Sequence, residues 1–86
     1  MEEEKKLVGK ISHYYSKISV AVIELTDSLS VGDEISIEGE TTNFTQPIES
    51  MQIMHENIQE AKKGDAIGLK VKDKVREGDS VYKVLK

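Results

Sequence analysis

The chain has no cysteine and no tryptophan, only one proline (Pro47) and one phenylalanine (Phe44), and no apolar run near the ~20 residues that cross a bilayer as a helix. Without cysteine there is no disulfide framework, no thiolate nucleophile and no cysteine-based zinc site, a composition that suits a reducing cytosol. The start, Met1-Glu2-Glu3-Glu4-Lys5-Lys6, lacks the basic stretch and apolar run of a secretory signal, so a cytoplasmic protein without membrane attachment is expected. No Gly-x-x-x-x-Gly-Lys-Ser/Thr loop is present to cradle phosphates, which excludes nucleotide binding by that route. No serine sits in a Gly-x-Ser-x-Gly elbow. The two imidazoles, His13 and His55, lack any short ligand spacing, so although Glu56 follows His55 they read as strand residues rather than metal ligands. The clustered carboxylates fall in the N-terminal segment (Glu2-Glu3-Glu4) or at a wet strand end (Glu38, Glu40). Neither a catalytic residue nor a cofactor is expected.

What remains is a thin-cored single domain. At 86 residues a chain buries roughly 60–65% of the surface it exposes when unfolded. The net charge of −4 is unevenly spread: residues 1–60 carry 12 Asp and Glu against 4 Lys, whereas residues 61–86 carry 8 Lys and Arg against 4 Asp and Glu. The late basic residues suit either a phosphate-facing stripe or solvated strand faces rich in Lys and Glu.

The strongest local pattern is a repeated Gly-Asp pair, followed by any residue and then an apolar β-branched one: Gly32-Asp33-Glu34-Ile35, Gly64-Asp65-Ala66-Ile67 and Gly78-Asp79-Ser80-Val81. Glycine reaches positive φ without a Cβ clash, and the aspartate accepts hydrogen bonds from turn amides, so each pair predicts a tight turn entering a strand.

Between these turns the hydrophobic period is two. Leu7, Gly9, Ile11, His13 and Tyr15 alternate with Val8, Lys10, Ser12 and Tyr14, predicting a first strand from Leu7 to Tyr15. Ile18 to Leu25 predicts a second, buried on both faces at Val20 to Ile23. Ile35 and Ile37 follow the first turn, and Gly39 to Pro47 reads as a long loop or edge ribbon. Ile48 is out of phase with Met51 and Ile53, which predicts a β-bulge near Ser50. Ile58 to Lys63 is too short for a stable helix, Ile67, Leu69 and Val71 share one face of the next strand, and Val81 to Leu85 is expected to pair with the first strand and close a barrel.

The succession Leu29-Ser30-Val31-Gly32-Asp33-Glu34-Ile35, Ile48-Glu49-Ser50-Met51-Gln52, Glu60-Ala61-Lys62-Lys63-Gly64-Asp65-Ala66-Ile67-Gly68-Leu69 and Val75-Arg76-Glu77-Gly78-Asp79-Ser80-Val81 resembles the second, β-barrel domain of translational GTPases such as elongation factor Tu. In detail it is similar to the small free-standing elongation-factor-like proteins of prokaryotes and to the barrel at the C-terminus of some collagenase-like peptidases. The resemblance spans Leu7 to Leu85. It implies an all-β fold, a small closed antiparallel barrel of about six strands, over residues 7–86, preceded by a disordered segment 1–6. His13-Tyr14-Tyr15 stands where the GTPases carry a glycine-bearing hairpin, so no aminoacyl contacts are transferred.

Two non-catalytic roles follow. The first is a translation-factor-like module contacting tRNA, rRNA or a ribonucleoprotein through the aromatic and basic cluster His13, Tyr14, Tyr15, Lys17 and the basic residues Lys62, Lys63, Lys70, Lys72, Lys74 and Arg76. The second is an adaptor or accessory subunit docking on a larger enzyme such as a collagenase-like peptidase, with Phe44 and Gln46 as contact residues unless Phe44 folds back to plug the barrel mouth.

Overall fold

The three Gly-Asp cassettes build three copies of one turn. In the computed structural model, which describes residues 4–54 and 56–85, Gly32, Gly64 and Gly78 have φ of 99°, 94° and 93°. Each occupies the third position of a turn closed by a backbone bond from the aspartate N–H to the carbonyl three residues earlier: Asp33 to Ser30 at 3.1 Å, Asp65 to Lys62 at 3.0 Å, Asp79 to Arg76 at 3.1 Å. Positive φ at that position is what a type II turn demands. The aspartate then closes the ring a second time, its Oδ2 accepting the N–H of Ser30, Lys62 or Arg76, each at 2.9 Å.

Every turn also grips one distant apolar residue. The glycine N–H donates to that residue's carbonyl and the aspartate carbonyl accepts its N–H, at 2.8 to 2.9 Å throughout. Ile48 is held by the first turn, Leu25 by the second and Ile11 by the third, and all three are buried. The local signal in the sequence therefore has long-range consequences.

The described residues form strands only: β1 (Glu4–Tyr15), β2 (Val20–Leu25), β3 (Leu29–Ser30), β4 (Glu34–Glu38), β5 (Asn43–Pro47), β6 (Met51–Ile53), β7 (Glu56–Ile58), β8 (Glu60–Ala61), β9 (Ala66–Lys70) and β10 (Ser80–Leu85). Eight make one antiparallel sheet in the order β5-β4-β10-β1-β2-β9-β6-β7, and β3 pairs with β8 separately. The last strand pairs with the first, as expected. The expected closed barrel of about six strands is not found. No ladder among the described residues joins the edge strands β5 and β7.

Phase differs from expectation where ladders slip. β1 begins at Glu4, not Leu7: Glu4, Lys5 and Lys6, expected to be disordered, pair with Leu85, Val84 and Lys83, while Met1 to Glu3 lie outside the described residues. Bulges between Leu7 and Gly9 and between Ile11 and His13 insert one residue each and reset the alternation. Val8 thus joins Gly9 and Ile11 in the interior, whereas Leu7, His13 and Tyr15 are exposed. The bulge expected near Ser50 is instead a break in the ladder, because the chain changes partners: β5 pairs with β4, residues 48–50 leave the sheet, and β6 pairs with β7 and β9. Ile48 and Met51 are both buried nonetheless.

The core that these elements enclose is aliphatic. Ile11, Ile23, Ile35, Ile37, Met51, Ile67 and Val81 are strand residues at or near zero exposure, joined by Leu29 and Ala61 from the β3–β8 pair. No helix of the described residues is long and apolar enough to cross a membrane.

Candidate docking surface

The gap left by incomplete closure is where the chain's unused chemistry collects. β5 is an edge strand, paired to β4 from Glu34–Pro47 to Glu38–Asn43, and its period of two puts Phe44 and Gln46 on one face. Opposite that face runs the connection leaving β9. The Gln46 carboxamide spans the gap: its Nε2 donates to the Lys70 carbonyl and its Oε1 accepts the Lys72 N–H, both at 2.9 Å. One side chain thus supplies the donor and acceptor that a neighbouring strand's peptide group would give. Phe44, half-buried against the core, lies beneath the Lys72 ammonium, 5.9 Å from the ring centroid. That is the range in which a cation is held by the ring face.

Two recesses flank this seam. One of about 340 Å³ lies between Pro47, Glu49 and Ser50 on one wall and Lys70 and Val71 on the other, and another of about 360 Å³ lies between the β4–β5 turn and Asp73, Lys74 and Arg76. Along residues 70–76, Val71 and Val75 turn inward while Lys70, Lys72, Lys74 and Arg76 are exposed. The ion pairs among the described residues lie elsewhere: Lys5 with Glu38, Lys6 with Asp27, Lys83 with Asp33 and, at 3.0 Å, His13 with Glu77. None of the four cations of the row joins any of them.

The residues singled out in the sequence are thus partly regrouped. Gln46 stands beside Lys70 and Lys72, and Phe44 beside Lys74 and Arg76, a grouping that no local pattern predicts. Lys62 and Lys63 do not join that row. They belong to the second Gly-Asp turn, at the far end of β9 beside Leu25, so β9 divides the basic 62–76 run into two separate groups. At the end of β1, His13 and Tyr15 meet edge to face with ring centroids 4.3 Å apart, Tyr14 is half-buried against the core, and Lys17 is exposed in the β1–β2 turn. That hairpin adjoins the row where Val20 pairs with Lys70 and the Val71 N–H donates to the Ser19 carbonyl at 2.9 Å. His55 lies outside the described residues, and no group of His, Asp and Glu among those described is arranged to hold a metal ion. Glu49, Ser50 and Val71 were not anticipated as lining residues, since only the topology brings them together.

No protein-family model matches the chain. It is 46% identical over 76 residues to an uncharacterized protease of Methanocaldococcus jannaschii, a match covering 87% of this chain and 19% of the protease. It is 38% identical over 82 residues to a collagenase of Porphyromonas gingivalis, covering 93% of this chain and 23% of the collagenase. The chain therefore spans about a fifth of the length of the curated relatives it matches. The crystal structure of the C-terminal domain of a Geobacillus thermoleovorans protein described as a U32 peptidase superposes with a TM-score of 0.85 at 23% identity, covering 91% of each chain. The peptidase half of the resemblance drawn from the sequence agrees with these findings, and the elongation-factor half is not supported. The expected role in translation and RNA binding is corrected accordingly: the relatives are proteases and collagenases. The fold of this chain is that of the Geobacillus thermoleovorans C-terminal domain.

Proposed function

We propose that this chain is a non-catalytic accessory module that docks on the remainder of a collagenase-like peptidase. The observation that carries this reading is that nearly the whole chain matches only about a fifth of each protease, leaving the larger part of those proteins to hold the chemistry. The hydrogen-bonding side chains support it: the aspartates of the three turns accept backbone N–H groups, and Gln46 bonds backbone partners through both its amide nitrogen and its oxygen. These groups are committed to holding the fold rather than to activating a nucleophile.

The test is co-elution of the chain with the Porphyromonas gingivalis collagenase from which the matching segment has been deleted, with the chain also assayed alone on gelatin. The reading expects co-elution and no gelatin hydrolysis by the isolated chain. Hydrolysis by the chain itself, or separate elution from a truncated collagenase whose circular dichroism shows it folded, overturns it.

A further inference from the structure

We infer that the seam between β5 and residues 70–76 is the docking face, and that it takes an extended acidic peptide segment of the peptidase partner. This rests on the docking role proposed above. Three observations on the seam carry it.

The first is charge. Lys70, Lys72, Lys74 and Arg76 are exposed on a chain of net charge −4, and none takes part in the ion pairs found among the described residues. The two carboxylates lining the recesses, Glu49 and Asp73, leave the lining cationic, since Lys70, Lys72, Lys74 and Arg76 face them. Four cations on one short stretch that bends at residues 72 and 73 complement a segment that carries several carboxylates.

The second is shape. The recess beside Gln46 has the size of the smallest ligand pockets, about 300 Å³ and upward. With Leu69 and Val71 in its lining and Lys70 and Lys72 at its rim, it suits an apolar side chain flanked by carboxylates.

The third is backbone. Gln46 already takes the Lys70 carbonyl and the Lys72 N–H, so the open backbone beside the seam is that of β5, which ends its sheet and pairs with β4 alone among the described residues. A partner segment can pair with that unpaired edge of β5, as in recognition by strand addition. Lys72, over the Phe44 ring at 5.9 Å, brings one ammonium of the row to the face of β5.

The experiment is a titration of the isotope-labelled full chain with a capped eight-residue peptide alternating glutamate and valine, followed by backbone amide shifts at low salt. A lysine–valine peptide of the same length and bulk transfer RNA serve as comparisons. The expected result is saturable shifts at residues 44–50 and 69–76, absent with the lysine peptide, with affinity reduced about tenfold in a Lys72→Glu, Lys74→Glu double variant whose other amide shifts are unchanged. No shift with the acidic peptide, shifts centred on the 13–18 hairpin, or transfer RNA displacing the peptide from the seam would each overturn the inference. Co-elution with the truncated collagenase that the double variant leaves intact removes the seam and keeps the docking role, whereas peptide binding without co-elution does the reverse.

Discussion

The carboxamide of Gln46 accepts the backbone N–H of Lys72 at 2.9 Å while donating to the carbonyl two residues before it, so one side chain on an edge strand completes the hydrogen bonding of a segment 26 residues away. The arrangement leaves the sheet's ladder open yet the peptide groups of its neighbour satisfied. Removing the side chain leaves the Lys72 N–H and the Lys70 carbonyl without their partner in a part-buried place. Gln46→Leu is expected to destabilise the fold by about 1–3 kcal/mol, the usual penalty for unsatisfied groups of this kind. Urea unfolding followed by far-ultraviolet circular dichroism reads the change, and a variant as stable as the parent would contradict the role given to Gln46.

The three Gly-Asp turns provide a second prediction. A Cβ added at Gly32, Gly64 or Gly78 meets nothing within 4 Å, so substitution there costs backbone strain alone. Gly64→Ala is expected to lower stability by about 1–2 kcal/mol, the cost of placing an L-residue at positive φ. Gly64→Asn should cost less, since asparagine tolerates that region better. Equal losses in the two variants would show that something other than φ governs the site.

The aspartates of those turns are not equivalent, although each accepts the same N–H. Asp79 is buried, with 7% exposure, and its bond from the Arg76 N–H is part-buried, whereas Asp65 is half-buried and its bond from the Lys62 N–H is exposed. Water can replace a lost acceptor more readily at the exposed turn. Asp79→Ala should therefore lower the thermal midpoint more than Asp65→Ala, and the reverse order would contradict the burial argument.

Acid sensitivity has an identifiable source at the β1–β4 side. The Lys5 ammonium, 2.7 Å away, and then the Ser36 hydroxyl hold the Glu38 carboxyl below the usual glutamate range. The Lys6 ammonium and then the Ser28 N–H do the same for Asp27. A carboxyl whose pKa is lower in the folded chain adds stability above its ordinary range, about 4.3 for glutamate, and that contribution is lost as pH falls through the lowered value. Lys5→Met should flatten the dependence of unfolding midpoint on pH in the acid limb, from about pH 5 downward, relative to the parent. An unchanged slope would remove Glu38 from the account.

These features differ in how far they could be read from the residues alone. The Gly-Asp turns are legible because positive φ and aspartate acceptance are local demands, written within four residues. Strand boundaries around Leu25, Ile35 and Leu69 are legible for the same reason, through a period of two. The open seam is not, because Gln46 meets a partner 24 to 26 residues away and nothing near Gln46 in the sequence signals it. Parity in β1 fails at Val8, where a bulge shifts the register between Leu7 and Gly9. At Ser50 the chain exchanges one partner strand for another, which periodicity cannot distinguish from a bulge. The basic run from Lys62 to Arg76 is legible as charge, but only the fold shows that β9 divides it and that Phe44 belongs with its second half.

The docking role is tested most directly by calorimetric titration of the chain into the Porphyromonas gingivalis collagenase lacking the matched segment, with the intact collagenase as the comparison. The account predicts saturable one-to-one binding to the truncated enzyme and much weaker binding to the intact one, whose own segment fills the place. No heat of binding to a folded truncated enzyme, or equal affinity for both forms, would contradict it.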